Sequence, residues 1–158
     1  MTERHLAEIQ RELMLVSRHQ TMATLQGVGA DGGTLERSAY VLLNRLEAEG
    51  PMSIGQLAEA FRLDTSTVNR QTAAMLRATL VERIPDPDGG IARKLAVTEE
   101  GVRRLAADRA VYREGLLQVL QGWTQPEVDR LLAALTHFNS SVERLEARPW
   151  PRPELPAG

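Results

Sequence analysis

The chain has no cysteine, which excludes disulfides, thiolate nucleophiles, cysteine-ligated zinc and thiol redox sensing. It has no uninterrupted apolar run of the roughly 18 residues that a membrane span requires. The opening Met1-Thr2-Glu3-Arg4-His5 lacks an apolar signal core, so a cytoplasmic protein with no membrane partner is expected. There is no Gly-rich phosphate loop, and His5, His19 and His137 lack ligand-like spacing. The carboxylates read as charged helix faces or caps, so no acid–base pair stands out. No enzyme, metal or cofactor is therefore expected. Lysine is scarce as well: of 19 basic residues, all but Lys94 are arginine.

What remains is an ordinary globular composition, 158 residues with 42% hydrophobic and 25% charged. That length suits one domain, or two small units sharing a core. The net charge of −2 conceals an uneven distribution. From Arg62 to Lys94 there are six basic residues (Arg62, Arg70, Arg77, Arg83, Arg93, Lys94) against four acidic (Asp64, Glu82, Asp86, Asp88).

Apolar residues at Leu6, Ile9, Leu13, Val16 and Ala23 form one face of a long helix capped by Thr2. The glycines at 27, 29, 32 and 33 end it. A second helix from about Thr34 carries Leu35, Ala39, Leu42, Leu43 and Leu46, and Gly50-Pro51 stops it. Ser53-Ile54-Gly55-Gln56 matches a capping box that opens a short helix. Asp64 then caps another, running through Val68, Met75 and Leu76 to about Thr79. Strands are expected at Leu80–Ile84 and Ile91–Val97, joined into a hairpin by Pro85-Asp86-Pro87-Asp88-Gly89-Gly90.

Thr98 caps a further long helix with Val102, Leu105, Tyr112, Leu116, Val119 and Leu120 on its stripe. Gly122 ends that helix, and a second capping box, Thr124-Gln125-Pro126-Glu127, opens the last one. The fold class predicted is mainly α with a small β-hairpin wing. A winged helix-turn-helix spans 34–101, flanked by a helical dimerisation region at 1–33 and 102–147. Pro149, Pro151, Pro153 and Pro156 make 148–158 an extended, mobile tail.

In a winged helix-turn-helix the second helix of the unit can enter a DNA major groove while the hairpin reaches the flanking backbone or minor groove. Here that helix offers Thr65, Ser66, Thr67, Asn69, Arg70 and Gln71 as its exposed positions, with no Lys or Glu among them. Arg suits guanine, Asn and Gln suit adenine, and hydroxyls suit a base or a phosphate. Ser53, at the start of the unit, and Arg93 and Lys94, on the wing, complete the DNA-contact candidates. The terminal helices bear more apolar surface than so small a unit can cover. Leu6, Ile9, Leu13 and Val16, with Leu131, Leu135, Phe138 and Val142, are expected to pack against a second copy.

The ordered set Leu57-Ala58-Glu59, Asp64-Thr65-Ser66-Thr67-Val68-Asn69-Arg70, Leu80-Val81-Glu82-Arg83, Asp86-Pro87-Asp88 and Leu95-Ala96-Val97-Thr98-Glu99-Glu100-Gly101 resembles the MarR family of bacterial transcriptional regulators. The resemblance implies a homodimer clasped by its terminal helices, binding a pseudo-palindromic double-stranded DNA operator as a ligand-responsive repressor. It also implies an effector pocket where the first, second and fifth helices meet, with His19, Arg37, Tyr40 and Tyr112 as candidates for a small aromatic or carboxylate ligand. Two positions depart from the family pattern. Gly89-Gly90-Ile91 stands where an acidic-x-basic wing motif is usual, and Thr79 stands where a helix-ending glycine is usual. A different class of function shares the fold: a winged helix that binds another protein and no specific DNA.

Overall fold

A computed structural model of the chain describes residues 2–18 and 35–152. The elements are α1 (Glu3–Arg18), α2 (Arg37–Glu49), α3 (Ile54–Phe61), α4 (Thr65–Arg77), β1 (Val81–Ile84), β2 (Lys94–Val97), α5 (Glu99–Val119) and α6 (Gln125–Glu146). Among the described residues this is the helix-rich winged architecture that the apolar periodicities predict. Ala23 and the glycine-rich connection lie outside the described residues.

The core forms where α2, α3, α4, the base of the wing and α5 converge. Leu43, Leu57 and Val68 are fully buried there, and Leu105 of α5 closes one side. A leucine taken wholly out of water contributes about 1.5–3 kcal/mol, so these side chains fix how the short helices sit. The strands pair antiparallel with Val81 opposite Val97 and Ile84 opposite Lys94. Met52 adds a two-bond bridge to Leu95, its N–H 3.1 Å from the Leu95 oxygen and its carbonyl 2.8 Å from the Leu95 nitrogen. The chain leading into α3 is thereby tied to the wing.

Local sequence explains the helix ends. Ser53 Oγ accepts from the Gln56 N–H at 3.1 Å while Gln56 Oε1 accepts from the Ser53 N–H at 2.8 Å, the expected capping box. Asp64 stands at the N-cap of α4 with extended backbone, but its carboxylate makes no capping bond. At the other end of α4, Thr79 N–H bonds Leu76 O and Leu80 N–H bonds Met75 O, a Schellman closure with Thr79 in the left-handed region at φ 57°. Thr98 Oγ accepts from the Gly101 N–H at 3.0 Å and donates to the Thr79 carbonyl at 2.6 Å. One hydroxyl thus locks the start of α5 to the end of α4.

The structure corrects several expectations. The second helix begins at Arg37, and Leu35 is buried just ahead of it. The strands are shorter than expected: β1 starts at Val81 and β2 at Lys94, so Ile91, Ala92 and Arg93 lie outside the ladder. Val102 and Val119 are exposed, because α5 turns Gly101, Leu105 and Asp108 inward instead. Asp108 is not a surface carboxylate: it is buried and accepts the Leu35 N–H at 2.8 Å, satisfying backbone just ahead of α2.

The start of the expected tail, residues 148–152, makes contacts with α2, α3 and α6. Arg148 donates to the Glu59 carbonyl, Trp150 meets Phe61 edge to face at 5.9 Å, and Arg45 lies 5.1 Å above the Trp150 ring. Glu143 holds the Trp150 N–H and the Arg152 guanidinium, and Arg152 in turn keeps the Glu143 carboxyl below its ordinary value.

Candidate nucleic-acid interface

Helix α4 buries Val68, Thr72 and Met75, a stripe at spacings of four and three that turns the opposite side outward. Thr72 is tolerated in the core because its hydroxyl donates back to the Val68 carbonyl at 2.7 Å. Thr65, Ser66, Asn69 and Arg70 are exposed, and their side chains make no hydrogen bond or ion pair among the described residues. They present free donors and acceptors of the kind that base edges require.

Two residues expected on that face are not fully there. Thr67 and Gln71 are half-buried, since they flank the stripe one turn apart. Gln71 Oε1 is buried without a partner among the described residues, beside a cavity of about 380 Å³ that Arg37, Ser38, Val41, Phe61 and Leu63 also line. Arg77, seven residues after Arg70 and exposed, extends the outward face to the C-terminal end of α4. Arg77 lies beyond the outward positions expected from the sequence, which end at Gln71, although that seven-residue spacing marks it. Arg62, exposed in the left-handed turn between α3 and α4 at φ 52°, carried no comparable signal. Ser53 is half-buried and its oxygen is committed to the cap, which leaves its O–H available to donate.

On the wing, the two basic candidates separate. Lys94 is not a free cation: its side chain is only 11% exposed and its Nζ lies 2.8 Å from Asp86 Oδ1 and 3.4 Å from Asp88 Oδ2. Asp86 also accepts the Asp88 N–H at 3.0 Å. The hydrogen bond from Lys94, and then that of the Asp88 backbone, holds the Asp86 carboxyl below its ordinary value. Asp86 in turn pushes the Lys94 ammonium up. Gly90 sits so close that a Cβ there would overlap the Asp86 carboxylate, so glycine serves a close approach at this position. Arg93 is exposed and unpaired among the described residues, and Ile91 at the apex is 103% exposed.

Of the four effector-pocket candidates, Arg37, Tyr40 and Tyr112 lie among the described residues. Tyr40 and Tyr112 stack on each other at 6.5 Å with an interplanar angle of 4°, and burial, followed by the neighbouring Tyr40, pushes the Tyr112 hydroxyl up. Arg37 opens instead on the cavity beside Gln71, and His19 lies outside the described residues. Among the described residues no group of His, Asp and Glu could hold a metal ion, and no helix is long and apolar enough to cross a membrane. The dimer candidates Leu6, Ile9, Leu13, Val16, Leu135, Phe138 and Val142 are exposed and Leu131 is half-buried. Helices α1 and α6 bury no residue at all.

Residues 35–89 match the model of the MarR family. The chain is 37% identical over 109 residues to YxaD of Bacillus subtilis, described as an uncharacterized HTH-type transcriptional regulator; the match covers 69% of this chain and 76% of that one. A MarR family protein from Bacillus stearothermophilus superposes with a TM-score of 0.75 at 21% identity, covering 90% of this chain and 98% of its own. The transcriptional regulator BldR from Sulfolobus solfataricus superposes at 0.67 with 18% identity, covering 89% and 99% respectively.

Proposed function

The chain belongs to the MarR family, and on that premise we propose that it is a DNA-binding transcriptional regulator that reads a pseudo-palindromic operator as a homodimer. The observation that carries the reading is the outward face of α4, where Ser66, Asn69 and Arg70 stand exposed without internal partners. Arg70 is the principal specificity residue, with Thr65, Ser66, Thr67 and Asn69 assisting. Gln71, half-buried beside its cavity, takes a lesser part. Arg93 contacts phosphate, Lys94 shapes the wing, and Arg62 and Arg77 add positive charge at either end of α4. Two such helices related by a two-fold axis read half-sites about one helical turn apart. The regulator acts as a repressor, and a small aromatic or carboxylate effector binding at the helical junction above α4 relieves it.

The test is a titration of the purified protein against its own upstream DNA and a scrambled duplex over a salt series. Selective, salt-dependent binding is expected. Arg70→Ala should cost about 1–3 kcal/mol per half-site and relax base preference. Arg93→Ala should weaken both duplexes alike and reduce the salt slope by about one contact per subunit. Equal, weak binding to both duplexes by the unaltered protein would instead mark a winged module that recognises another protein.

A further inference from the structure

Helices α5 and α6 form a lever that is fastened to the winged unit at both ends. The residues that α5 buries, Gly101, Leu105 and Asp108, all lie in its first half. Helix α6 follows for 22 residues, about 33 Å at 1.5 Å per residue, and buries none of its own side chains. Its far end is tied down by the residues that come after it. Arg148 donates to the Glu59 carbonyl in the last turn of α3, and the Pro149 carbonyl accepts from Arg45 Nη1 of α2 at 3.3 Å. Trp150 meets Phe61, the last residue of α3, edge to face, with the Arg45 guanidinium over its ring. From the α6 side, Glu143 accepts the Trp150 N–H at 3.2 Å and Arg152 Nη1 at 2.9 Å. Pro149 and Pro151 flank the tryptophan; each fixes its own φ and disfavours helical backbone at the residue before it, which leaves the segment few conformations. Phe61 packs against the core of the winged unit and stands three residues ahead of Asp64, the N-cap of α4. The ring of Trp150 is thus where α6 holds the helix that leads into α4.

We propose that Trp150 is a positioning residue for operator recognition: seated on Phe61, it fixes α4 relative to α6 and so sets the separation of the two α4 helices in the dimer. This rests on the reading of the chain as a DNA-binding homodimer joined through α1 and α6. Trp150 acts through Phe61 and not on the DNA. One base pair added between half-sites moves the second by about 3.4 Å and turns it by about 35°. A dimer whose winged units are held to α6 meets both half-sites at one spacing. A dimer whose units swing reaches neighbouring spacings too, and loses conformational entropy whenever DNA orders them. Removing the tie therefore broadens the accepted spacing and leaves intact the base contacts that each α4 makes by itself.

The experiment varies spacing and sequence separately. The full chain is titrated by fluorescence anisotropy against a duplex selected from a random pool. The same half-sites are then offered with one or two base pairs added or removed between them. The unaltered protein should prefer one spacing by about tenfold, comparable with the effect of one mismatched pair. Trp150→Ala should bring the spacings to within about threefold of one another, while a base change under α4 costs what it did before and sedimentation still gives a dimer. Trp150→Phe, which keeps a ring on Phe61, should restore most of the spacing preference. Equal weakening at every spacing would mark a merely structural side chain and overturn the proposal. Loss of base preference together with spacing preference in Trp150→Ala, or an unaltered protein indifferent to spacing, overturns it as well. If the pool yields no selected duplex, the DNA-binding reading fails and the proposal with it; a spacing preference that survives Trp150→Ala removes the positioning role alone.

Discussion

Thr79 holds a backbone conformation that its side chain opposes. At φ 57° an L-residue is strained by about 1–2 kcal/mol relative to glycine, and a β-branched one lies at the upper end. The contacts that tie this turn to α4 and α5 are made by the backbone, its N–H to Leu76 O and its carbonyl to the Thr98 hydroxyl, while its own hydroxyl donates to the Ala78 carbonyl at 2.7 Å in an exposed position. Thr79→Gly keeps both and removes the strain, against the extra entropy that glycine loses on folding. A net gain of about 0.5–1 kcal/mol is expected, seen as a rise of roughly 2 °C in the thermal midpoint. A lowered midpoint would mean that the threonine side chain itself contributes to the turn. The departure at Thr79 was visible in the sequence, and so was its conformation, because a Schellman closure before a buried Leu80 leaves only one backbone solution.

Between elements, the tightest approach is that of α5 to the start of the wing. A Cβ on Gly101 would overlap the Leu80 carbonyl oxygen and press on Val97, and neither backbone can withdraw without breaking the Thr98 N–H bond to Leu80 O at 3.1 Å. Helix propensity alone would make alanine better than glycine here by about 1 kcal/mol. The clash reverses the sign, and Gly101→Ala is expected to cost about 1–3 kcal/mol, read from the denaturant midpoint. A more stable variant would show that α5 can shift away from β1. The sequence announced a helix starting at Thr98 but not this contact, since nothing in a one-dimensional pattern says that Gly101 faces a carbonyl some twenty residues back. Asp108 misled for the same reason. A carboxylate on a helix reads as solvated until the backbone N–H that it must satisfy is in view.

For the whole molecule, α1 and α6 are unfinished. Leu6, Ile9, Leu13 and Val16 follow one face of α1, and Leu135, Phe138 and Val142 one face of α6, each left roughly half in water. Stripes of this length are rarely left uncovered in a monomer, and a self-complementary face is satisfied most simply by a two-fold partner. Sedimentation at low micromolar concentration should therefore give a species of twice 17.5 kDa. Leu135→Asp together with Phe138→Asp should dissociate it while the winged unit, which does not use these residues, keeps its helical signal. A single 17.5 kDa species from the unaltered chain would refute the dimer.

The order of helices, the capping box at Ser53, the hairpin and the polar outward face of α4 were legible in the sequence. Each of these depends on neighbours within a few positions, through periodicity, caps and turn residues. Tertiary structure alone decided which cation of the Arg93–Lys94 pair is free, because Lys94 is claimed by carboxylates across the hairpin. It alone turned Gln71 towards a cavity, stacked Tyr40 on Tyr112, and brought Trp150 of the proline-rich tail onto Phe61. Those outcomes depend on which distant group arrives within a few ångströms. Burial and pairing energies set that distance, and local pattern does not encode it.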